Sequence, residues 1–183
     1  MSNMKKHPTQ QGVALIEALI AMLIVAFGVL GLVGLQAKTT VANLEGYQRS
    51  QALILVNDMA ERMNLNRANA LSYVSNNIGV TDPGNCSGST LTTAQKDLCE
   101  WSKLIRGASE TQGSTQVGVV LNAHGCITNP VTNQYLLALA WQGVQASGTP
   151  VNTCGKDAFS SEDMRRVVTV VVQIANLSPP AAP

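Results

Sequence analysis

From Val13 to Leu35 the chain runs 23 residues with a single ionisable side chain, Glu17. At about 1.5 Å rise per residue a helix of that length spans roughly 35 Å, enough to cross a hydrocarbon core of about 30 Å. Lys5 and Lys6 precede the run, so the positive-inside rule keeps that end cytoplasmic and exports the remainder. Glu17 is the anomaly, one helical turn inside the apolar stretch. A carboxylate at the middle of a membrane costs about 2.5–3.5 kcal/mol on insertion scales, and less near the edge, where it snorkels. Once the segment packs among others, something must compensate that charge.

Two ordinary readings of such a run fit poorly. A secretory signal peptide has an apolar core of about 7–15 residues followed by a small-x-small cleavage site. This run is longer, carries an acid, and ends in Gly31-Leu32-Val33-Gly34-Leu35-Gln36 without such a site. A plain single-pass anchor leaves Glu17 without a purpose.

The stretch Gln11-Gly12-Val13-Ala14-Leu15-Ile16-Glu17, behind Lys5-Lys6-His7, resembles the class III leader of type IV prepilins. In that family a basic leader ends in glycine, an apolar residue follows, and glutamate is the fifth residue of the mature chain. The resemblance implies a leader at 1–12, removed by a membrane aspartyl prepilin peptidase that cuts between Gly12 and Val13 and methylates Val13. The residue after the cut is more often phenylalanine, but an apolar side chain is what the family requires. Cutting there creates an ammonium at the top of an apolar helix, and Glu17 is the carboxylate able to meet it. Two unit charges about 4 Å apart at an effective dielectric of about 20 attract by about 4 kcal/mol. Glu17 has the reach for its own terminus or a neighbour's; the resemblance implies the neighbour's, a docking contact that sets axial register in a filament.

With 183 residues, 45% of them hydrophobic and 13% charged, the chain has room for one small soluble domain besides the apolar run. Taking Lys5 and Lys6 from the 12 basic residues leaves 10 against 11 acidic ones, a mature net charge of −1. No polybasic patch remains. Lys103 and Arg106, or Arg165 and Arg166, are too few for phosphate-backbone binding, so no nucleic acid is expected. The four cysteines, Cys86, Cys99, Cys126 and Cys154, all lie in the exported part, where an even count reads as two disulfides. Three connectivities are open. Cys86–Cys99 and Cys126–Cys154 close the shortest loops, and the chain-entropy model gives them roughly 3 and 3.5 kcal/mol. No CxxC or clustered histidine suggests zinc, so neither metal nor cofactor is expected. His7 leaves with the leader, and His124 reads as a surface turn residue in Asn122-Ala123-His124-Gly125. Without a nucleophile elbow, Walker loop, paired-carboxylate motif or dinucleotide fingerprint, no enzymatic activity is expected.

No proline occurs between Pro8 and Pro83, so one helix is free to run on from Val13. Gly28, Gly31 and Gly34 each weaken it by about 1 kcal/mol relative to alanine. They suit either a small-residue packing face or a segment that melts when the subunit leaves the bilayer. Beyond Gln36 the pattern becomes one-sided. Ala52, Leu55, Val56, Met59, Ala60 and Met63 recur at helical spacing, opposite Arg49, Asn57, Asp58, Glu61 and Arg62. The spacing predicts a helix to about Asn66–Ala70, with Met59 and Met63 in the core and Asp58–Arg62 as an i,i+4 pair.

Ile78 to Thr90 reads as loop, with Asp82-Pro83-Gly84 a turn. A short helix is predicted over Thr92–Arg106, capped by Thr92 or Thr93, with Leu98, Trp101, Leu104 and Ile105 on its apolar face. Trp101 belongs to the core or an interface. Three strands are predicted: Gln116–Asn122, Gln134–Gln142 and Arg166–Asn176, the second apolar on both sides as a central strand would be. Between the first two, Gly125-Cys126-Ile127-Thr128-Asn129-Pro130 reads as a turn. Gly143 to Asp163 is a long loop containing Cys154, of a length that is usually functional or tied down. Ser178 to Pro183 reads as a disordered tail.

The segment Met59-Ala60-Glu61-Arg62-Met63-Asn64-Leu65-Asn66-Arg67, the four cysteines and the Trp101 helix ahead of the sheet are similar to PilV-type minor pilins, the type IV pilus modification proteins. That resemblance implies an α+β fold of type IV pilin kind: a long N-terminal helix, transmembrane over 13–36, packed on a small antiparallel sheet within a globular domain at 37–183. It also implies a C-terminal disulfide loop, closed here by Cys126–Cys154. The implied role is a minor pilin that primes type IV pilus assembly and sits near the pilus tip. Implied partners are the prepilin peptidase/methyltransferase, other minor pilins, the major pilin and a tip adhesin. The protein would wait in the inner membrane with its C-terminal domain in the periplasm, then join the extracellular pilus. A type II secretion pseudopilin and a DNA-uptake competence pilin are the alternative readings. The former are usually shorter and poorer in cysteine; the latter would need a basic surface.

Overall fold

The computed structural model describes residues 11–107, 111–112, 115–116, 120 and 122–175. Residues 1–10 of the leader expected at 1–12 and the tail expected at 178–183 lie outside them. The long helix α1 runs Gln11–Leu65, and the chain divides between Asn43 and Leu44 into two units.

In the first unit every residue from Val13 to Thr40 is exposed, and the most apolar 18-residue window of the helix has a mean hydropathy of 2.8. The helix has the length and composition to cross a membrane. Leu, Ile and Val line it on all sides, which is the pattern of a helix surrounded by lipid or by other helices rather than by water. Gly28, Gly31 and Gly34 stay helical, and a Cβ at any of them would meet nothing within 4 Å. The Thr39 and Thr40 hydroxyls both donate to the Gln36 carbonyl at 2.9 Å, which satisfies them inside an apolar helix.

The second unit holds the remainder of α1, then β1 (Ser75–Ile78), α2 (Thr93–Ile105), β2 (Thr111–Gln112), β3 (Thr115–Gln116), β4 (His124–Val131), β5 (Gln134–Gln142) and β6 (Arg165–Gln173). Short 3₁₀ turns cover Arg67–Tyr73 and Glu162–Met164. β1, β4, β5 and β6 form an antiparallel sheet in that order, while β2 pairs with β3 apart from it. The fold is α+β, a long helix on a small antiparallel sheet, as the type IV pilin resemblance implied. Ala52, Val56, Met59 and Met63, all fully buried, face Ile127, Leu137 and Leu139 of the sheet and Trp101 of α2. Burying such side chains contributes about 1.5–3 kcal/mol each. The Trp101 indole N–H donates to the Leu55 carbonyl at 2.7 Å, joining α2 to α1. Thr92 caps α2: its hydroxyl accepts from Gln95 N–H, and the Gln95 side chain accepts from Thr92 N–H.

Several sequence expectations need correction. Residues 125–130 are not a turn but the body of β4. Gly125 is there because a Cβ would lie 2.6 Å from the Trp101 ring, so the glycine marks a close approach within a strand. Pro130 sits where the β4–β5 register is irregular, between Thr128 and Val131, so its missing N–H breaks no regular ladder. The turn proper is Thr132-Asn133, with Asn133 at φ 62°. His124 opens β4 instead of lying in a turn. β1 was not expected and ends at Ile78, where the expected loop begins, because Ser-Asn-Asn-Ile shows no apolar alternation. Of the strand expected at Gln116–Asn122, Val117, Val119 and Leu121 lie outside the described residues. Gln116 belongs to the small β2–β3 pair, and Asn122 has φ 50°. α1 stops at Leu65 and tightens into the 3₁₀ turn. β6 ends at Gln173, short of the expected Asn176, which lies outside the described residues. β5 has its expected bounds and is central, with all nine of its residues paired to β6.

Candidate functional site

Glu17 lies four residues after Val13 on α1, and in a helix that spacing puts both on one face, one turn apart. Its neighbours on that face, Val13 and Ile20, are exposed and apolar. An amine carried by Val13 would therefore sit one turn above this carboxylate, on the side of the helix that α1 leaves open. The peptide bond before Val13 joins it to Gly12, and both residues lie inside α1.

The second unit carries two disulfides. Cys86–Cys99, with Cα atoms 5.5 Å apart, fastens the loop after β1 to α2, and Cys126–Cys154, with Cα atoms 5.8 Å apart, fastens the loop after β5 to β4. Both separations are in the ordinary range for a disulfide. The long loop at 143–161 is held by more than Cys154. Arg165 is 2% exposed and donates to the carbonyls of Pro150, Asn152 and Cys154 and to the Glu162 carboxylate. Next to it Arg166 pairs with Glu45 at 3.2 Å and donates to the carbonyls of Asp163 and Gln145. Glu45 in turn accepts from the Val144 and Gln145 N–H groups, at 2.7 and 3.3 Å. Arg165 and Arg166, weighed above as surface charge, are thus the inner fastenings of a loop. One carboxylate on α1 seats the loop's first residues, and one buried guanidinium seats its middle. Reading the sequence alone missed Glu45, and nothing local marks it. The paired arginines at the head of a valine-rich strand were the available signal.

A second cluster closes the upper end of α1. Arg62 reaches Asp58 at 3.0 Å, Asp97 at 3.3 Å and Glu100 at 2.7 Å. Partial burial disfavours its charge, but hydrogen bonds to Glu100, Asp58 and Asp97 outweigh this and raise its affinity for the proton. The Tyr73 hydroxyl donates to Asp97 and accepts from Asn66; burial, then the bond to Asp97, pushes its pKa up to about 12. His124, edge-on to Phe159 with ring centroids 5.3 Å apart, is shifted below its ordinary value by burial. Among the described residues no group of three or more His, Cys, Asp or Glu is placed to hold a metal ion.

A family model described as Tt1218-like, type IV pilin Tt1218, matches residues 34–102. The matched stretch runs from the upper part of the apolar helix through β1 and the Cys86–Cys99 loop into α2, and stops short of β4. No curated protein and no solved structure matches the chain. With the long exposed helix and the antiparallel sheet packed on its upper half, that match supports a type IV pilin.

Proposed function

We propose that this chain is a minor pilin of PilV type. After cleavage between Gly12 and Val13 and methylation of Val13, it would join other minor pilins near the pilus tip and prime assembly. The observation that carries the reading is an apolar helix exposed on every side from Val13 to Thr40, with Glu17 its one acid below Leu35, in a chain that matches a type IV pilin model. Such a helix needs lipid before assembly and neighbouring helices after it, and its buried acid needs a cation. The new amine at Val13 of an adjacent subunit supplies one, so Glu17 is the docking residue. On this reading the protein waits in the inner membrane before assembly, its domain on the periplasmic side, and the length and apolar composition of the helix support that reading. Its partners on this reading are the prepilin peptidase/methyltransferase, the major pilin, the other minor pilins and a tip adhesin.

Intact-mass analysis of the protein from its native host tests the maturation step. A chain starting at a methylated Val13 is expected; one that keeps residues 1–12 overturns the proposal. For docking, Glu17→Ala should leave membrane insertion intact and lower piliation; piliation at the normal level would contradict the role of Glu17.

A further inference from the structure

The sheet's outer face, turned away from α1, is only partly covered by the 143–161 loop. Between that loop and the chain at 76–81 lies a cavity of about 640 Å³, within the range typical of ligand sites. A smaller one of about 420 Å³ adjoins it, and Val80, His124 and Ala158 line both. The floor is the Cys126–Cys154 bridge with Leu136 and Ala138, and the walls are amides and hydroxyls, among them Asn76, Asn77 and Thr81. Lys156 lines the larger cavity and Arg106 the smaller, and among the described residues neither lining includes an aspartate or glutamate. The carboxylate that feels Lys156, Glu162, is already engaged by Arg165 and by the Asp157 N–H.

From this juxtaposition we infer that the groove binds an acidic oligosaccharide. Planar amides and hydroxyls match a sugar's hydroxyls, the small apolar floor takes a ring's C–H face, and Lys156 and Arg106 take its carboxylates in charge-assisted hydrogen bonds. Other polymers fit less well. A single-stranded nucleic acid needs aromatic side chains for its bases to stack on, and among the described residues no Trp, Tyr or Phe lines either cavity. A peptide helix needs large apolar anchors, and an added strand needs a sheet edge. Here the apolar lining is mostly small, and the groove crosses a sheet face. The inference concerns the isolated protein and does not depend on its incorporation into a pilus.

Isothermal titration of the full-length chain in detergent micelles with tetragalacturonate tests it, with neutral cellotetraose and single-stranded DNA as competitors of other chemistry. Saturable binding of tetragalacturonate is expected. Lys156→Gln, which removes one charge-assisted bond, should weaken it about tenfold, and the neutral sugar, which forgoes the bonds to both Lys156 and Arg106, should bind about 100-fold more weakly. Lys103→Gln, outside both cavities, should leave it unchanged. Absence of saturable binding overturns the inference. So does equal affinity in Lys156→Gln, equal affinity for cellotetraose, or displacement of the sugar by DNA at lower concentration. Because the Lys156 side chain is exposed, its replacement leaves the fold intact, and a circular dichroism melt of each variant verifies this.

Discussion

Replacing Arg165 by methionine removes the donors that hold the 143–161 loop while keeping much of the side chain's volume. The guanidinium donates from Nε to the Glu162 carboxylate, forms an ion pair with it, and donates once each to three loop carbonyls, with only 2% of the side chain exposed. Breaking a buried ion pair by removing one partner costs about 3–5 kcal/mol. Glu162 keeps 27% of its side-chain exposure, and carbonyls on a surface loop turn to water more easily than carbonyls in a core. Those two reliefs bring the expected loss to about 2–3 kcal/mol. Urea unfolding of the full-length chain in micelles, with both disulfides intact, should show a midpoint lower by about 1–2 M at unchanged slope. Tryptic cleavage after Lys156 should accelerate as the loop loosens. Arg166→Met, which breaks the partly exposed pair with Glu45, should cost only about 1 kcal/mol. An Arg165→Met midpoint equal to that of the parent protein, with no faster cleavage, would refute the argument that this arginine organises the loop.

Gly125→Ala should destabilise by about 1–3 kcal/mol and shift the Trp101 fluorescence, since the new Cβ meets ring carbons at 2.6 and 2.8 Å. An unshifted spectrum would show that α2 gives way without cost. Replacing Cys126 and Cys154 by alanine should lower stability by about 3.5 kcal/mol, and Cys86 with Cys99 by about 3 kcal/mol, as loops of 28 and 13 residues require. Denaturant titration should rank the two pairs in that order. Tyr73 makes an alkaline prediction. A phenol whose pKa is raised from 10.0 to about 12 favours its neutral form in the fold, so its contribution is complete below pH 10 and lost as pH climbs toward 12. Tyr73→Phe should flatten that limb of the stability curve; an unchanged limb would assign it to other groups.

The parts of this protein that were legible in advance are those where one local pattern dominates. Twenty-three residues with one charge admit little besides a helix in an apolar setting, whatever follows them. The repeat of Ala52, Val56, Met59 and Met63 names a buried face, and Thr92 with Gln95 names a helix start three residues apart. β5 was readable because it is apolar on both sides, which only a strand covered on both faces sustains. β4 was not. Glycine, asparagine and proline together are turn signals by their own backbone preferences. Here Gly125 instead makes room for an indole from a helix some twenty residues earlier, and Pro130 falls at a break in register.

The amino-acid order alone therefore determined the apolar helix with its lone acid, the amphipathic continuation and the central strand, because each depends on side chains within a few turns of one another. Only the folded chain decided that Arg165 and Arg166 face inward, that Glu45 seats a loop about 100 residues further on, and that amides from β1 and a lysine from the loop share one groove. Those outcomes depend on which distant segments the sheet brings side by side, and no local preference encodes a contact of that range.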